Sequence, residues 1–172
     1  MTFESGDPVV HARYGAGQVT GVRVLDQDGE DKRYFCIELV DDRGTLMIRE
    51  GKVSNDELRP ALTDTRMIDE ILRKEPQALS SNHRSRQGKL DKMIKSGNPR
   101  CVAQALRDLA WREATHRLTA ADIRLKGEAI KKLADELALN PRLSMIEVRR
   151  RLAQLIDRAM DYHQSRQSVA VL

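Results

Sequence analysis

Residues Gly6-Asp7-Pro8-Val9-Val10-His11-Ala12-Arg13-Tyr14-Gly15-Ala16-Gly17-Gln18-Val19 read as two short strands around a tight turn. Pro8 to Ala12 is the first run, and Tyr14-Gly15-Ala16-Gly17 carries turn chemistry, since glycine reaches conformations a Cβ forbids. From Gln18 to Leu25, Val19, Val22 and Val24 stand among polar residues as a second strand. Asp26-Gln27-Asp28-Gly29-Glu30 predicts a hairpin connection. Tyr34 to Val40 (Tyr-Phe-Cys-Ile-Glu-Leu-Val) has the strongest strand composition, β-branched and aromatic. Asp41-Asp42-Arg43-Gly44 turns the chain again, and Thr45 to Arg49 makes a fourth strand. Four or five such strands suit a small curled barrel of the SH3/Tudor kind.

From Asp64 onward the apolar period becomes helical. A short helix is predicted over Thr65–Arg73, closed by Pro76, and a basic helix over Asn82–Lys95, stopped by Gly97. Asn98 then caps a helix with Pro99 at its first position, where a missing N–H costs nothing. The stripe Val102, Ala105, Leu106 and Leu109 gives that helix one buried face. Thr119 with Asp122 resembles a capping box, and the helix it opens is expected to bury Ile123, Ile130, Leu133 and Leu137 before Pro141 breaks it. Ser144 with Glu147 repeats the signature ahead of Val148, Leu152, Leu155 and Ile156, and from Gln164 the tail is expected to fray. The fold class is therefore α+β: an N-terminal Tudor/SH3-like β-barrel (residues 1–62) followed by an all-α helical bundle (63–172).

Composition narrows the function. The chain has 172 residues, 40% hydrophobic and 33% charged, which is ordinary for a globular protein. No apolar run approaches the roughly 20 residues that span a bilayer, and Met1 to Asp7 is no secretory signal, so no membrane and a cytoplasmic setting are expected. Cys36 and Cys101 lie far apart, outside any CxxC, and read as two buried thiols. His11, His83, His116 and His163 are scattered, and there is no HExxH, GxSxG, Walker loop or GxGxxG. No enzyme activity, metal or cofactor is expected. Residues 1–66 hold 9 Lys/Arg against 13 Asp/Glu, and the remainder 21 against 13. An acidic front and a basic back suggest two surfaces with different partners.

The basic segment is the positive signal. Between Asn82 and Arg117 there are nine Lys/Arg against three acids, with Lys89, Lys92 and Lys95 sharing roughly one helical face. Such a stripe matches duplex phosphates, but a solvated face has the same pattern, and the two readings stand about even on residues alone. Trp111, the one tryptophan, reads first as core. It also lies about 200° from Leu109, so it could instead be an apolar probe beside basic residues. Arg149-Arg150-Arg151 reads as a solvated or inter-helix cluster.

The stretch Gly6–Val19 resembles the opening of the CarD/CdnL family, shared with the polymerase-binding module of transcription-repair coupling factors. The similarity continues through Tyr34–Leu39, Leu46-Met47-Ile48 and Leu58-Arg59-Pro60. It resumes at Lys95-Ser96-Gly97, Val102-Ala103 through Arg107-Asp108-Leu109, Leu118-Thr119-Ala120 and Glu136-Leu137-Ala138-Leu139, so it covers roughly residues 3–140. The resemblance implies a regulator whose Tudor-like module docks on the RNA polymerase β subunit by strand-edge pairing. Its helical domain would meet promoter DNA at the upstream edge of the bubble and tune open-complex stability. The implied polymerase contacts are Leu46, Met47, Ile48 and Arg49, with Arg23 and Leu25 on the adjoining strand. The candidate DNA contacts on this reading are Asn82, His83, Arg84, Arg86, Lys89, Lys92 and Trp111.

Two departures accompany the resemblance. Arg49 stands where the family usually has a proline, and Ser81–Arg86 lacks the family tryptophan that wedges into the minor groove. Phosphate contact is therefore expected without an evident wedge. If Arg84, Arg86, Lys89 and Lys92 each meet a phosphate, log affinity should fall with log salt at a slope of roughly −3.6. The alternative is a protein–protein adaptor that docks on polymerase without wedging DNA. Either way a monomer is expected.

Overall fold

The computed structural model describes residues 2–40, 44–52, 54 and 57–169. Five strands come first: β1 (Pro8–His11), β2 (Gly15–Gln27), β3 (Glu30–Leu39), β4 (Thr45–Arg49) and β5 (Leu58–Pro60). Five helices follow: α1 (Arg66–Arg73), α2 (His83–Lys95), α3 (Pro99–Thr115), α4 (Ala120–Leu137) and α5 (Met145–Val169). The expected turn at Asp41-Asp42-Arg43 lies outside the described residues.

All strand pairings are antiparallel, in the order β4-β3-β2-β1-β5. Among the described residues β4 and β5 do not pair, so the expected barrel is a curled sheet with two edges. The curl is visible in the core: Phe35 and Ile37 of β3, Val9 of β1, Val19 of β2 and Leu58 of β5 bury together, with Leu46 and Ile48 of β4 packed on them. A register shift between Val19 and Gly21 bends β2 midway, as a bulge does. Gly17 must be glycine for space, because a Cβ there would fall 2.6 Å from the Glu38 carbonyl oxygen.

The helical core is larger. Leu90 and Ile94 of α2, Leu106 and Leu109 of α3, Leu125 and Leu133 of α4, and Val148 and Leu152 of α5 form one buried cluster with Ile68 and Leu72 of α1. Burying each such side chain contributes roughly 1.5–3 kcal/mol. Asn82 caps α2 by accepting from the Ser85 N–H, and Asn98 caps α3 with Pro99 in its first turn. Thr119 and Asp122 form the capping box of α4, and Ser144 and Glu147 exchange hydrogen bonds ahead of α5.

Three expectations fail. Ile123 is 58% exposed, because α4 buries Asp122, Leu125, Ala129 and Leu133, a stripe whose centre lies about 115° around the helix from residue 123. Helix α5 continues past Gln164 to Val169. Cys36 is buried, but Cys101 is only half-buried.

The sheet meets the bundle at β5. The Arg59 guanidinium forks onto the Glu136 carboxylate, Nη2 lying 2.9 Å from Oε2, and its Nε donates to the Gly97 carbonyl at 3.0 Å. Glu136 also accepts from the Leu62 N–H at 2.7 Å. Gly97 has φ +74°, and a Cβ there would fall 2.7 Å from that of Ala12. The β1–β2 turn thus seats directly on the α2–α3 junction.

Candidate functional site

Strand β4 is one of the two edges of the sheet. The Leu39 N–H donates to the Gly44 carbonyl at 3.0 Å and the Glu50 N–H to the Arg33 carbonyl at 2.9 Å. Those bonds set the phase of the ladder. Phe35/Ile48 and Ile37/Leu46 are its hydrogen-bonded pairs, so Thr45, Met47 and Arg49 turn their N–H and C=O groups away from β3. The Arg49 carbonyl accepts from the Lys52 N–H at 3.3 Å, whereas both main-chain groups of Met47 have no backbone partner among the described residues. An edge of this kind can take another strand.

Side chains on this edge divide by face. Leu46 and Ile48 face the core beside Phe35 and Ile37, so any contribution they make to binding runs through packing. Met47, 38% exposed, and Arg49 share the outer face with Tyr34 and Cys36. Arg23 and Leu25 are not on the strand next to β4. They lie on β2, with β3 between: Arg23 pairs with Tyr34, which pairs with Arg49, and Leu25 pairs with Lys32, beyond the end of β4. Arg23, Tyr34 and Arg49 thus form one row across the outer face.

Helix α2 divides just as sharply. Arg84, Lys89, Lys92 and Lys95 are exposed within one arc of about 140°. Lys95 is held by Asp91 at 2.8 Å, an exposed pair, while Arg84, Lys89 and Lys92 make no ion pair among the described residues. Asn82 and His83 are exposed at the helix N-terminus, where the orphan N–H groups favour anions.

Arg86 is not on that surface. It is buried, with Nε and Nη2 donating to the Asp122 carboxylate at 3.1 and 2.9 Å and Nη1 to the Ser80 and Ser81 carbonyls at 2.7 and 3.2 Å. Burial works against the Asp122 charge, but the Arg86 guanidinium and the Thr119 hydroxyl and N–H hold its carboxyl below the usual carboxylate range. This fork fastens α2 to the start of α4 and to the segment before α2. It was readable from the sequence, because Arg86 precedes Leu90 and Ile94 by four and eight residues and so shares their buried stripe. Glu136 carries the same signal beside Leu133 and Leu137.

Trp111 is half-buried against the helical core and meets the His163 ring edge-on at 5.9 Å between centroids. It lies in a cleft with Arg73, Glu75, Pro76, His163, Arg166 and Gln167, away from the exposed arc of α2. No group of three or more His, Cys, Asp or Glu is arranged to hold a metal ion among the described residues. No described helix is long and apolar enough to cross a membrane.

A curled sheet with an open edge at β4, tied to a helical bundle with a basic face on α2, defines a two-module binding architecture. A family model for the CarD-like/TRCF RID domain, a Tudor-like module, matches residues 3–61, and one for the CarD C-terminal domain matches residues 67–153, half of the chain. The chain belongs to the CarD family, and so is an RNA polymerase-interacting transcription regulator.

Proposed function

We propose that β4 docks on the RNA polymerase β subunit while the α2 face holds promoter DNA at the upstream edge of the bubble, tuning open-complex stability. The observation that carries this reading is the outward-facing N–H and C=O of Met47, flanked by Thr45 and Arg49. A partner strand would satisfy these groups, and the row Arg23–Tyr34–Arg49 would contact what lies above it. The site performs no catalysis and uses no cofactor, and the protein works as a monomer in the cytoplasm, where polymerase is. Residues 1–62 and 63–172 act as its two domains.

DNA contact rests on Arg84, Lys89 and Lys92, with Asn82 and His83 presenting the helix N-terminus. None of these is a large apolar side chain, so they hold phosphates and do not unstack base pairs. With Arg86 buried, three phosphate contacts remain, and log affinity for fork-junction promoter DNA should fall with log salt at a slope of roughly −2.7. The pair of substitutions Lys89→Ala and Lys92→Ala should reduce the slope to roughly −0.9. A flat salt dependence in a chain that still captures polymerase would favour the adaptor reading instead.

A further inference from the structure

The cleft at Trp111 has a chemistry of its own. It encloses about 270 Å³ between the end of α1, the segment after it, α3 and the last turns of α5. Two guanidiniums, Arg73 and Arg166, line it against a single carboxylate, Glu75. Arg73 is held by Asp69 at 3.0 Å and Arg166 by the Tyr162 hydroxyl at 3.0 Å, and both remain exposed. His163, only 6% exposed, uses Nε2 against the Leu72 carbonyl oxygen at 2.9 Å.

Two ring nitrogens are left over. His163 Nδ1 and the Trp111 indole N–H make no hydrogen bond among the described residues, and neither is sealed from the surface. Tryptophan and histidine usually find a partner for such groups when they pack into a core. Here two aromatic rings and two cations line one concave space, and the free ring nitrogens are open to a partner from outside. We infer that the Trp111 cleft binds a nucleotide, its base against the indole and its phosphate on Arg73 and Arg166.

Aromatic walls that take bases beside cations that take phosphates are the usual arrangement for unpaired nucleotides. Position fits as well. Glu75 and Pro76 open the segment that ends at Asn82, the cap of α2, so the cleft and the start of α2 are joined by six residues, at most roughly 20 Å of chain. The ligand could be a base of single-stranded DNA or a free nucleotide, since both offer a ring and a phosphate. Nothing in this inference depends on the α2 face contacting duplex DNA.

The chain has a single tryptophan, so its fluorescence reports on this cleft alone. The full-length protein is titrated separately with a short single-stranded oligonucleotide, a nucleoside monophosphate and inorganic phosphate. Saturable quenching by the oligonucleotide alone assigns the cleft to single-stranded DNA, and quenching by the monophosphate too assigns it to nucleotides generally. The doubly substituted Arg73→Gln/Arg166→Gln protein, exposed at both positions and expected to melt as the wild type does, should bind at least about tenfold more weakly. No quenching, quenching by phosphate alone, or unchanged affinity in that variant would overturn the inference. So would an equal loss in an Arg124→Gln control, which removes an exposed charge outside the cleft and should change this affinity less than about twofold.

Discussion

Arg84 and Arg86 are two residues apart on one helix, and the structure gives them opposite work. Arg84 is exposed, whereas Arg86 is buried in a fork with Asp122. Removing the charge of Asp122 leaves the guanidinium in the core without its counter-charge, and breaking such a buried pair costs about 3–5 kcal/mol. Asp122→Asn should therefore lower the unfolding free energy by that order in a denaturant titration, while Arg84→Ala changes stability within about 0.5 kcal/mol and weakens DNA binding. A mild effect of Asp122→Asn would mean the pair contributes little. His11 is the residue to watch as pH falls. Its Nδ1 accepts from the Arg13 and Tyr14 N–H groups at 3.1 and 3.2 Å, which a protonated nitrogen cannot do. Burial lowers its pKa below 6.5, Glu57 opposes that, and Arg13 adds to it. With the folded value below the unfolded one, the unfolded chain takes up the proton first. This contribution to stability is complete above pH 6.5 and declines as pH drops from there toward the lowered value. Denaturation midpoints from about pH 8 to about pH 5 should show that decline, and His11→Gln should flatten it.

At the scale of elements, most boundaries were legible because capping chemistry is local. Asn82, Asn98, Thr119 and Ser144 each mark a helix start through their own side chain and a neighbouring N–H. What was not legible is which residues face inward once elements pack. Ile123 is apolar and still exposed, since the capping box turns Asp122 toward Arg86 and carries residue 123 outward. Arg23 and Leu25 were assigned to the strand beside β4, yet neighbours in a sheet depend on pairing order, which alternation along one strand does not encode. Strand β4 itself was legible as a strand. Its free edge, and the outward main chain of Met47, follow only from the ladder with β3. A proline at position 47 removes an N–H that no β3 carbonyl uses, so Met47→Pro should retain the sheet. Its melting temperature should stay within a few degrees of wild type, corresponding to less than about 1 kcal/mol.

In the whole molecule, the sheet and the bundle are joined by a small number of polar contacts. Glu136 receives the Arg59 fork and the Leu62 N–H, and Arg59 also reaches the Gly97 carbonyl. Glu136→Ala strands a guanidinium that is only 20% exposed in its side chain and should destabilise by about 3 kcal/mol. Calorimetry should then resolve the sheet and the bundle as two transitions where the wild type melts as one. A single unshifted transition would show that apolar contacts such as Leu139 on Val10 and Ala16 suffice to couple them. That coupling matters to the proposed function, in which one module holds polymerase, the other holds DNA and force passes through this joint. The most direct test is the dissociation constant of the full-length chain for purified RNA polymerase, wild type against Met47→Pro. Weakening by at least about tenfold, with an unchanged melting temperature, is the predicted result. Equal affinity of the two proteins would contradict docking through the β4 edge.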